Sequence, residues 1–280
     1  MANVKIVTDS SVQLTPEEVQ KYEIHVIPLI IEIDQKTYVD GQDITRQGFM
    51  TAMAHAENLP KTSQPSIGAF LDLFDSLAAD GSPVLAIHMT ETISGTVNAA
   101  HQAGEISRAD VTVVDSEFTD RGMAFQVIEA AKAAQAGKTV PEILQIIADV
   151  RDRTHLVMGV SDLTNLVKGG RMSRVSGMIS GLLNIKIVLE LKKGQLDVVS
   201  KGRGVKTLMR YVDKTITQMQ NLPPIKAIGI SHADGLKIGQ DIMAALKPLF
   251  PEVPILLRET DPIIATHAGP GAFALMFYTK

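Results

Sequence analysis

The chain has no cysteine and no tryptophan in its 280 residues, and phenylalanine and tyrosine make up only 4% of it. Without cysteine there are no disulfide bonds, no thiolate catalysis and no zinc sites with cysteine ligands. A formal net charge of -4 provides no general attraction to nucleic acid or to an anionic membrane surface. The first residues lack the basic and apolar regions of a signal peptide, and no apolar run approaches the roughly 18 to 20 residues of a bilayer span. We therefore expect a soluble cytoplasmic protein with no transmembrane segment and no nucleic-acid partner.

What is present is typical of a globular protein, since 45% of the residues are hydrophobic and 21% are charged. Strand-like runs at 3–8, 84–88 and 111–114 alternate with helical patterns at 66–78 and 96–106. Two capping boxes, Thr15 with Glu18 and Thr139 with Glu142, indicate further helix starts. This order predicts an α/β fold with a mostly parallel sheet and flanking helices.

The pattern changes after Val160. Glycines and arginines over 169–181 predict a flexible basic loop, and 185–200 reads as a β-hairpin. A helical pattern at 205–219 and a last strand at 272–278 follow. We therefore predict two domains, an N-terminal α/β domain at 1–158 and a C-terminal α/β domain at 159–280, with a ligand site between them.

Four short segments with hydroxyl side chains each follow an apolar, strand-like run. The segments are Val7–Ser10, Lys61–Ser66, Thr92–Thr96 and Val114–Ser116. Open α/β sheets bind ligands at the carboxyl ends of their strands. Several hydroxyl-bearing loops at that edge predict one polar pocket, suited to an anion or a carboxylate.

Within these segments, Ser94 and Gly95 precede a helix whose free backbone N–H groups attract negative charge. The alternative is that Ser94 only caps its helix. It is not a nucleophile elbow of the G-x-S-x-G type, because Thr92 occupies the first glycine position. Thr62 and its neighbours offer several donors, or simply form a turn that ends in a cap at Ser66.

Two isolated residues complete the set of candidates. His267 lies in a small-residue segment that we predict to be a loop, where it could donate to a carboxylate, act as a base or be purely structural. Gly202–Thr207 is a weak nucleotide fingerprint, because Thr207 stands where the third glycine belongs. Arg203, between two glycines, is better interpreted as an exposed cation for an anion or a partner.

Three functional classes therefore stay open on these residues alone. The first is a lipid-binding carrier. The second is a hydrolase or acyltransferase that uses Ser94 and His267 with Asp9 or Asp115. The third is a dinucleotide or sugar-phosphate enzyme that uses the Gly202 region.

Taken together and in order, the motifs resemble the DegV family, the fatty-acid-binding subunits of bacterial fatty acid kinase. The similarity spans nearly the whole chain. It is carried by Ile6–Ser11, Pro28–Leu29, Tyr38–Gly41, Thr62–Ser66, Ile93–Thr96, Val114–Ser116, Lys168–Arg171, Gly202–Arg203 and His267–Gly271.

The resemblance implies a two-domain α/β fold that buries a long-chain fatty acid and needs no cofactor or metal. It implies that Thr62, Ser94 and His267 hold the carboxylate. Ser63, Gly95 and Thr96 would be neighbouring donors, and Arg171 and Arg203 would serve phosphate contact and kinase docking. It further implies a carrier subunit rather than an enzyme. A separate ATP-dependent kinase of the dihydroxyacetone kinase type would convert the bound acid to acyl phosphate for phospholipid synthesis.

Overall fold

The computed structural model describes residues 3–177 and 185–280. Their strands, β1 to β14 in chain order, are Lys5–Asp9, His25–Ile27, Ile30–Ile33, Lys36–Val39, Lys61–Ser63, Val84–His88, Val111–Asp115, Thr154–Val160, Val175–Ser176, Lys186–Lys192, Gln195–Gly202, Ile225–His232, Ile255–Glu259 and Phe273–Thr279. Their helices, α1 to α10, are Pro16–Lys21, Arg46–His55, Ile67–Leu77, Thr96–Ile106, Asp120–Gln135, Val140–Asp152, Thr164–Lys168, Val205–Met219, Leu236–Leu246 and Pro262–Ala268. One 3₁₀ turn, Arg171–Arg174, lies between α7 and β9.

Local signals account for most helix starts. The capping boxes of Thr15 with Glu18 and Thr139 with Glu142 are both formed, at the starts of α1 and α6. The Ser66 hydroxyl caps α3 by accepting from the backbone N–H of Ala69 at 3.1 Å. No helix among the described residues is long and apolar enough to cross a membrane.

Three sheets organise the described residues. The N-terminal sheet is parallel throughout, in the order β2-β1-β6-β7, and beside it lies a small antiparallel sheet in the order β4-β3-β5. The C-terminal sheet is mixed, in the order β13-β12-β14-β8-β10-β11-β9. The predicted α/β architecture, a mostly parallel sheet with flanking helices and a second α/β unit, is confirmed.

Helix α5 joins the two larger sheets. It is buried on nearly all sides and packs against β1 of the N-terminal sheet and against β12 and β14 of the C-terminal sheet. A helix that is buried all round belongs to the core between two layers. One apolar cluster accordingly runs from Ile6 and Leu85 through Phe125 to Leu156 and Met276.

Strand β8 bears on the division into domains. The predicted boundary after residue 158 falls within this strand, and the whole strand pairs with β10 and β14 of the C-terminal sheet. This pairing favours a division between α6 and β8, a few residues earlier, and the boundary itself stays a prediction.

The segment 169–181, which we predicted to be a flexible loop, is partly regular. Arg171–Arg174 form the 3₁₀ turn, and β9 pairs in parallel with β11. The Arg171 guanidinium fastens the segment, because it donates to the carbonyl oxygens of Ile93 at 3.1 Å and Gly169 at 2.9 Å. The prediction is wrong for residues 171–176, and residues 178–181 lie outside the described part of the chain.

His267 lies in a helix, so the prediction of a loop there is also wrong. Helix α10 begins at Pro262 and is capped by Asp261, whose carboxylate accepts from the backbone N–H of Ile264 at 3.0 Å. Proline at the first position and aspartate as cap favour a helix start. Gly269, with φ of 78°, ends the helix, and His267 occupies its last turn.

The cap of α10 is one of two buried carboxyl groups whose pKa values are raised well above the ordinary value. Asp40 and Asp261 are 5% and 1% exposed, and one carboxylate oxygen of Asp261 has no hydrogen-bond partner among the described residues. Burial raises the pKa of Asp40 to about 6, and the hydrogen bond and charges around this carboxyl group are smaller causes. Burial and then the charge of Asp40 raise the pKa of Asp261, and Arg46 offsets this only in part. The folded state therefore binds more protons than the unfolded state, and its stability falls as pH rises through about 6.

We expect Asp261→Asn to raise the free energy of unfolding at pH 8 by on the order of 1 kcal/mol and to reduce its loss between pH 5 and pH 8. Asparagine can still cap the helix, and it removes one of the two charges. Urea unfolding at both pH values measures the effect, with the exposed Asp213→Asn as control. A variant that loses more stability at pH 8 than at pH 5 would contradict the expectation.

Candidate functional site: a cavity with one polar end

A cavity of about 320 Å³ lies between the elements of the two halves, within the range of about 300–1,000 Å³ that is usual for ligand pockets. Most of its wall is apolar, from Leu29, Met89, Ile93, Leu156, Met158, Leu166, Leu191, Leu196, Ile263, Ile264 and Ala268. Its polar groups come from Thr62, Ser63, Gln64, Ser94, Gly95, Thr119, Arg171 and His267. The cavity therefore suits a ligand with a long apolar part and a small polar part.

The centre of the polar end is a contact between β5 and α10. The hydroxyl oxygen of Thr62 and Nε2 of His267 lie 2.9 Å apart, although 205 residues separate them in the chain. Burial, and after it the charge of Arg171, lowers the pKa of His267 to about 4. The imidazole is therefore neutral at physiological pH.

The other ring nitrogen of His267, Nδ1, is buried with no hydrogen-bond partner among the described residues. It faces Gly169, where a Cβ would collide with it. Because no described residue offers Nδ1 an acceptor, the proton of the neutral ring belongs on Nε2, where the Thr62 oxygen can accept it. The hydroxyl hydrogen of Thr62 is then available to a ligand in the cavity.

The loop after β6 supplies the second part of the polar end. The Ser94 hydroxyl oxygen lies 2.8 Å from that of Thr96 and accepts from the Thr96 backbone N–H at 3.2 Å. Gly95 is the N-cap of α4 without a side-chain cap, and a Cβ there would collide with the side-chain amide of Gln64. Apart from the paired Thr96 N–H, the first turn of α4 has no side-chain cap among the described residues, and this end of the helix favours negative charge.

Beyond this end lies a polar groove of about 400 Å³. Its lining residues include Thr92, Asn98, Gly170, Ser173 and Arg174, and it shares Ile93, Ser94, Gly95 and Arg171 with the cavity. Burial, and then the charge of Arg174, lowers the pKa of Arg171 below its usual value. The shared residues show that the groove adjoins the polar end of the cavity.

The structure brings together most of the residues that the sequence singled out. Thr62, Ser63, Ser94, Gly95, Arg171 and His267 line one cavity. Thr96 is fully buried and contacts Ser94, and it does not line the cavity.

Arg203 is exposed and lines neither the cavity nor the groove. It follows β11, whose end Gly202 pairs with Lys186. The Lys186 ammonium donates to the carbonyl oxygen of Ser161, and the Ser161 hydroxyl donates to that of Gly271, just after α10. Arg203 therefore lies at the same end of the C-terminal sheet as the end of α10.

Two of the four hydroxyl-bearing segments do not line the cavity. The Ser10 hydroxyl accepts from the backbone N–H of Leu29 at 3.0 Å, and the Ser116 hydroxyl donates to the carbonyl oxygen of Phe118 at 3.0 Å. Both hydroxyls satisfy backbone groups, so the pocket draws its hydroxyls from the other two segments and from Thr119.

A serine–histidine–aspartate triad is not assembled in the described residues. Asp9 accepts from Nδ1 of His88 at 3.1 Å, and Asp115 accepts from the backbone N–H groups of Glu91 and Glu117. Burial opposes ionisation of Asp9, but the hydrogen bond and charge of His88 hold its pKa below the ordinary value. Neither carboxylate orients His267, as a triad would require. Among the described residues, no group of three or more acidic or histidine side chains could hold a metal ion.

Sequence reasoning missed the apolar wall. Leu156 and Met158 are two residues apart on β8 and therefore lie on the same face of the strand. Leu191 and Leu196 are paired across the β10–β11 hairpin. Alternation was the only available signal, and it cannot distinguish a wall of a cavity from a filled core.

Comparison with known proteins agrees with this geometry. The family model described as "Uncharacterised protein, DegV family" matches residues 3–280. A DegV domain-containing protein of Streptococcus pneumoniae is 46% identical over 277 residues, 99% of this chain and 98% of that protein. A DegV domain-containing protein of Listeria innocua is 45% identical over 280 residues, the whole of both chains.

Two solved structures extend the comparison. DegV of Bacillus subtilis, a fatty acid binding protein, is similar over the whole of both chains, with a TM-score of 0.91 and 26% identity. The fatty acid binding DegV family protein SAG1342 of Streptococcus agalactiae is also similar over the whole of both chains, with a TM-score of 0.85 and 28% identity. Matches over the full length in sequence and in fold confirm the resemblance carried by the motifs, and the chain belongs to the DegV family.

Proposed function

We propose that this protein binds one long-chain fatty acid in the cavity and presents its carboxylate to a separate ATP-dependent fatty acid kinase. The observation that carries the proposal is an apolar wall that ends at a cluster of hydroxyl and imidazole groups around Thr62, Ser94 and His267. The similar proteins of Bacillus subtilis and Streptococcus agalactiae bind fatty acids, which supports the choice of ligand.

The two parts of the cavity have different tasks in this proposal. Moving a chain of about 14 methylenes out of water is favourable by about 11 kcal/mol of transfer free energy. The loss of translational and rotational freedom on binding opposes it by about 4–15 kcal/mol. The apolar wall therefore supplies most of the affinity. The polar end supplies selectivity, since each hydrogen bond to a charged group adds about 1.5–3 kcal/mol.

At the polar end, the neutral ring of His267 donates to Thr62, and Thr62 donates to the carboxylate. Ser94, whose oxygen already accepts from the Thr96 backbone, supplies a second hydroxyl donor. Ser63 and the N–H groups at Gly95 are further donors at this end. A carboxylate is preferred here to an ester or an alcohol because several donors converge on one position.

Presentation to the kinase is supported by the polar groove. The carboxylate end shares residues with the groove, whose charged lining residues, Arg171, Arg174 and Glu91, leave it net positive. An incoming phosphoryl group is anionic and is attracted by such a groove. In this proposal Arg171 contacts the phosphate, and the exposed Arg203 meets an acidic surface of a kinase of the dihydroxyacetone kinase type. The acyl phosphate formed in this way would serve phospholipid synthesis.

We expect protein purified from bacterial cells to carry a fatty acid in about equimolar amount. Native mass spectrometry identifies it. Removal of the lipid lowers the Tm, and adding oleate or palmitate restores it, because a ligand bound only by the folded state stabilises that state. The methyl ester is the control ligand. If no fatty acid can be extracted and none stabilises the protein, the proposed function is wrong.

We expect Arg203→Ala to retain fatty-acid binding and to reduce acyl-phosphate formation by the kinase. The side chain is exposed and outside the cavity, and charges at the rim of an interface act mainly on association rate and on salt sensitivity. Fatty-acid affinity and kinase turnover are measured on the same preparation, with the exposed Arg210→Ala as matched control. Loss of fatty-acid binding with normal kinase docking would assign Arg203 to the ligand site instead.

A further inference from the structure

A second, smaller cavity of about 20 Å³ adjoins the ligand cavity. Four alanines line it, Ala233, Ala268, Ala272 and Ala274. Its volume is enough for one water-sized or methyl-sized group. Met158, Ile264 and Ala268 line both cavities, so these three residues separate them.

Only one of the three separating side chains can move easily. Ile264 is β-branched and lies in α10, where its first side-chain torsion is strongly restricted. The side chain of Ala268 is a single methyl group, and its rotation does not change the shape of the cavity wall. Met158 is unbranched and flexible, which lets methionine adapt to gaps in a core. It lies on β8 opposite Ala274 of β14, whose small side chain leaves room beside it.

The polar groups of the smaller cavity are already paired with one another. The Asp120 carboxylate accepts from the hydroxyls of Ser231 at 2.6 Å and Thr260 at 2.7 Å, and from the backbone N–H of Arg121 at 2.6 Å. Nδ1 of His232 accepts from the backbone N–H of Gly235. These groups do not depend on a water in the cavity, so an apolar group can enter it without leaving them unpaired.

We propose that Met158 determines which acyl chains the protein accepts. In one position its side chain closes the ligand cavity beside the four alanines. When it turns, the two cavities join, and a longer or bent chain gains room for about one additional methylene or methyl group. The inference rests on the proposed function, because it concerns the chain of a bound fatty acid.

The test is competition between palmitate and a saturated acid of 20 carbons for delipidated protein, read by native mass spectrometry. Met158→Ala joins the cavities permanently and should raise the ratio of the longer to the shorter bound acid about fourfold for each extra methylene that is buried. Met158→Leu conserves the volume and should keep the wild-type ratio. Met158→Val, a residue suited to a strand, gives an intermediate ratio and serves if the alanine variant does not fold.

A second substitution checks where the extra room lies. Ala274→Leu in the Met158→Ala background refills the space beside β8 and should return the ratio to its wild-type value. A Met158→Ala or Met158→Val protein that binds fatty acid at the wild-type ratio would overturn the role of Met158 and leave the proposed function intact. Wild-type protein that binds neither acid would overturn the proposed function itself.

Discussion

His267→Ala is expected to weaken binding of a long-chain free acid by about 10- to 150-fold, the equivalent of one hydrogen bond to a charged group. The imidazole orients the Thr62 hydroxyl from 2.9 Å away. Without it, Thr62 can turn its hydrogen elsewhere, and the buried carboxylate loses a donor. The methyl ester carries no charge and should lose far less affinity.

The measurement compares the dissociation constants of acid and ester for wild type and variant. His101→Ala, on the exposed face of α4, is the matched control, and it should change neither constant. Thr62→Val should reproduce the selective loss, because it removes the hydroxyl and conserves the shape. Equal losses for acid and ester would mean that His267 only maintains the shape of the cavity. Unchanged acid affinity would remove it from the carboxylate site.

Local signals in the sequence were sufficient for most of the architecture. Capping boxes and the hydroxyl cap at Ser66 depend on residues three positions apart, so spacing alone identifies them. The same kind of signal was present at Asp261-Pro262, where α10 begins. The small residues that follow it favoured a loop, and the helix around His267 was missed.

Long-range contacts explain the remaining errors. The 3₁₀ turn after Gly170 is fastened by Arg171 to Ile93, 78 residues away, and local glycine content cannot predict such a contact. Which hydroxyls face the cavity is likewise decided by tertiary pairing. Ser10 is bonded to Leu29, whereas Thr62 is bonded to His267.

Spacing could not pair Thr62 with His267, and only the family resemblance placed them at one carboxylate. The structure adds the neutral ring, an Nδ1 with no hydrogen-bond partner in residues 3–177 and 185–280, and the contact of that nitrogen with Gly169. Gly169 was part of the predicted basic loop, where its glycine character indicated flexibility. In the structure its φ is -76°, an ordinary helical value that any residue adopts. The absence of a side chain, and not backbone freedom, is therefore what this position requires.

Gly169→Ala is accordingly expected to weaken binding of the free acid about tenfold or more, the effect of losing one such hydrogen bond, and also to lower the free energy of unfolding, because the Cβ meets a backbone atom as well as the imidazole. Its Cβ would collide with Nδ1 of His267 and would lie 2.8 Å from the carbonyl oxygen of Asn165. The imidazole must then move away from Thr62. Gly204→Ala is the matched control, because its Cβ would meet nothing closer than 4.0 Å.

A double-mutant cycle separates this mechanism from general damage to the site. If Gly169→Ala acts by displacing the ring, it has no further effect once the ring is absent, and Gly169→Ala with His267→Ala should bind the acid as His267→Ala does alone. Isothermal titration of the free acid and the methyl ester into the wild type, the two single variants and the double variant gives the coupling free energy between Gly169 and His267. Additive losses would show that Gly169 acts independently of His267. A loss shared equally by acid and ester would place the damage in the apolar wall, because only the acid depends on the donors around Thr62.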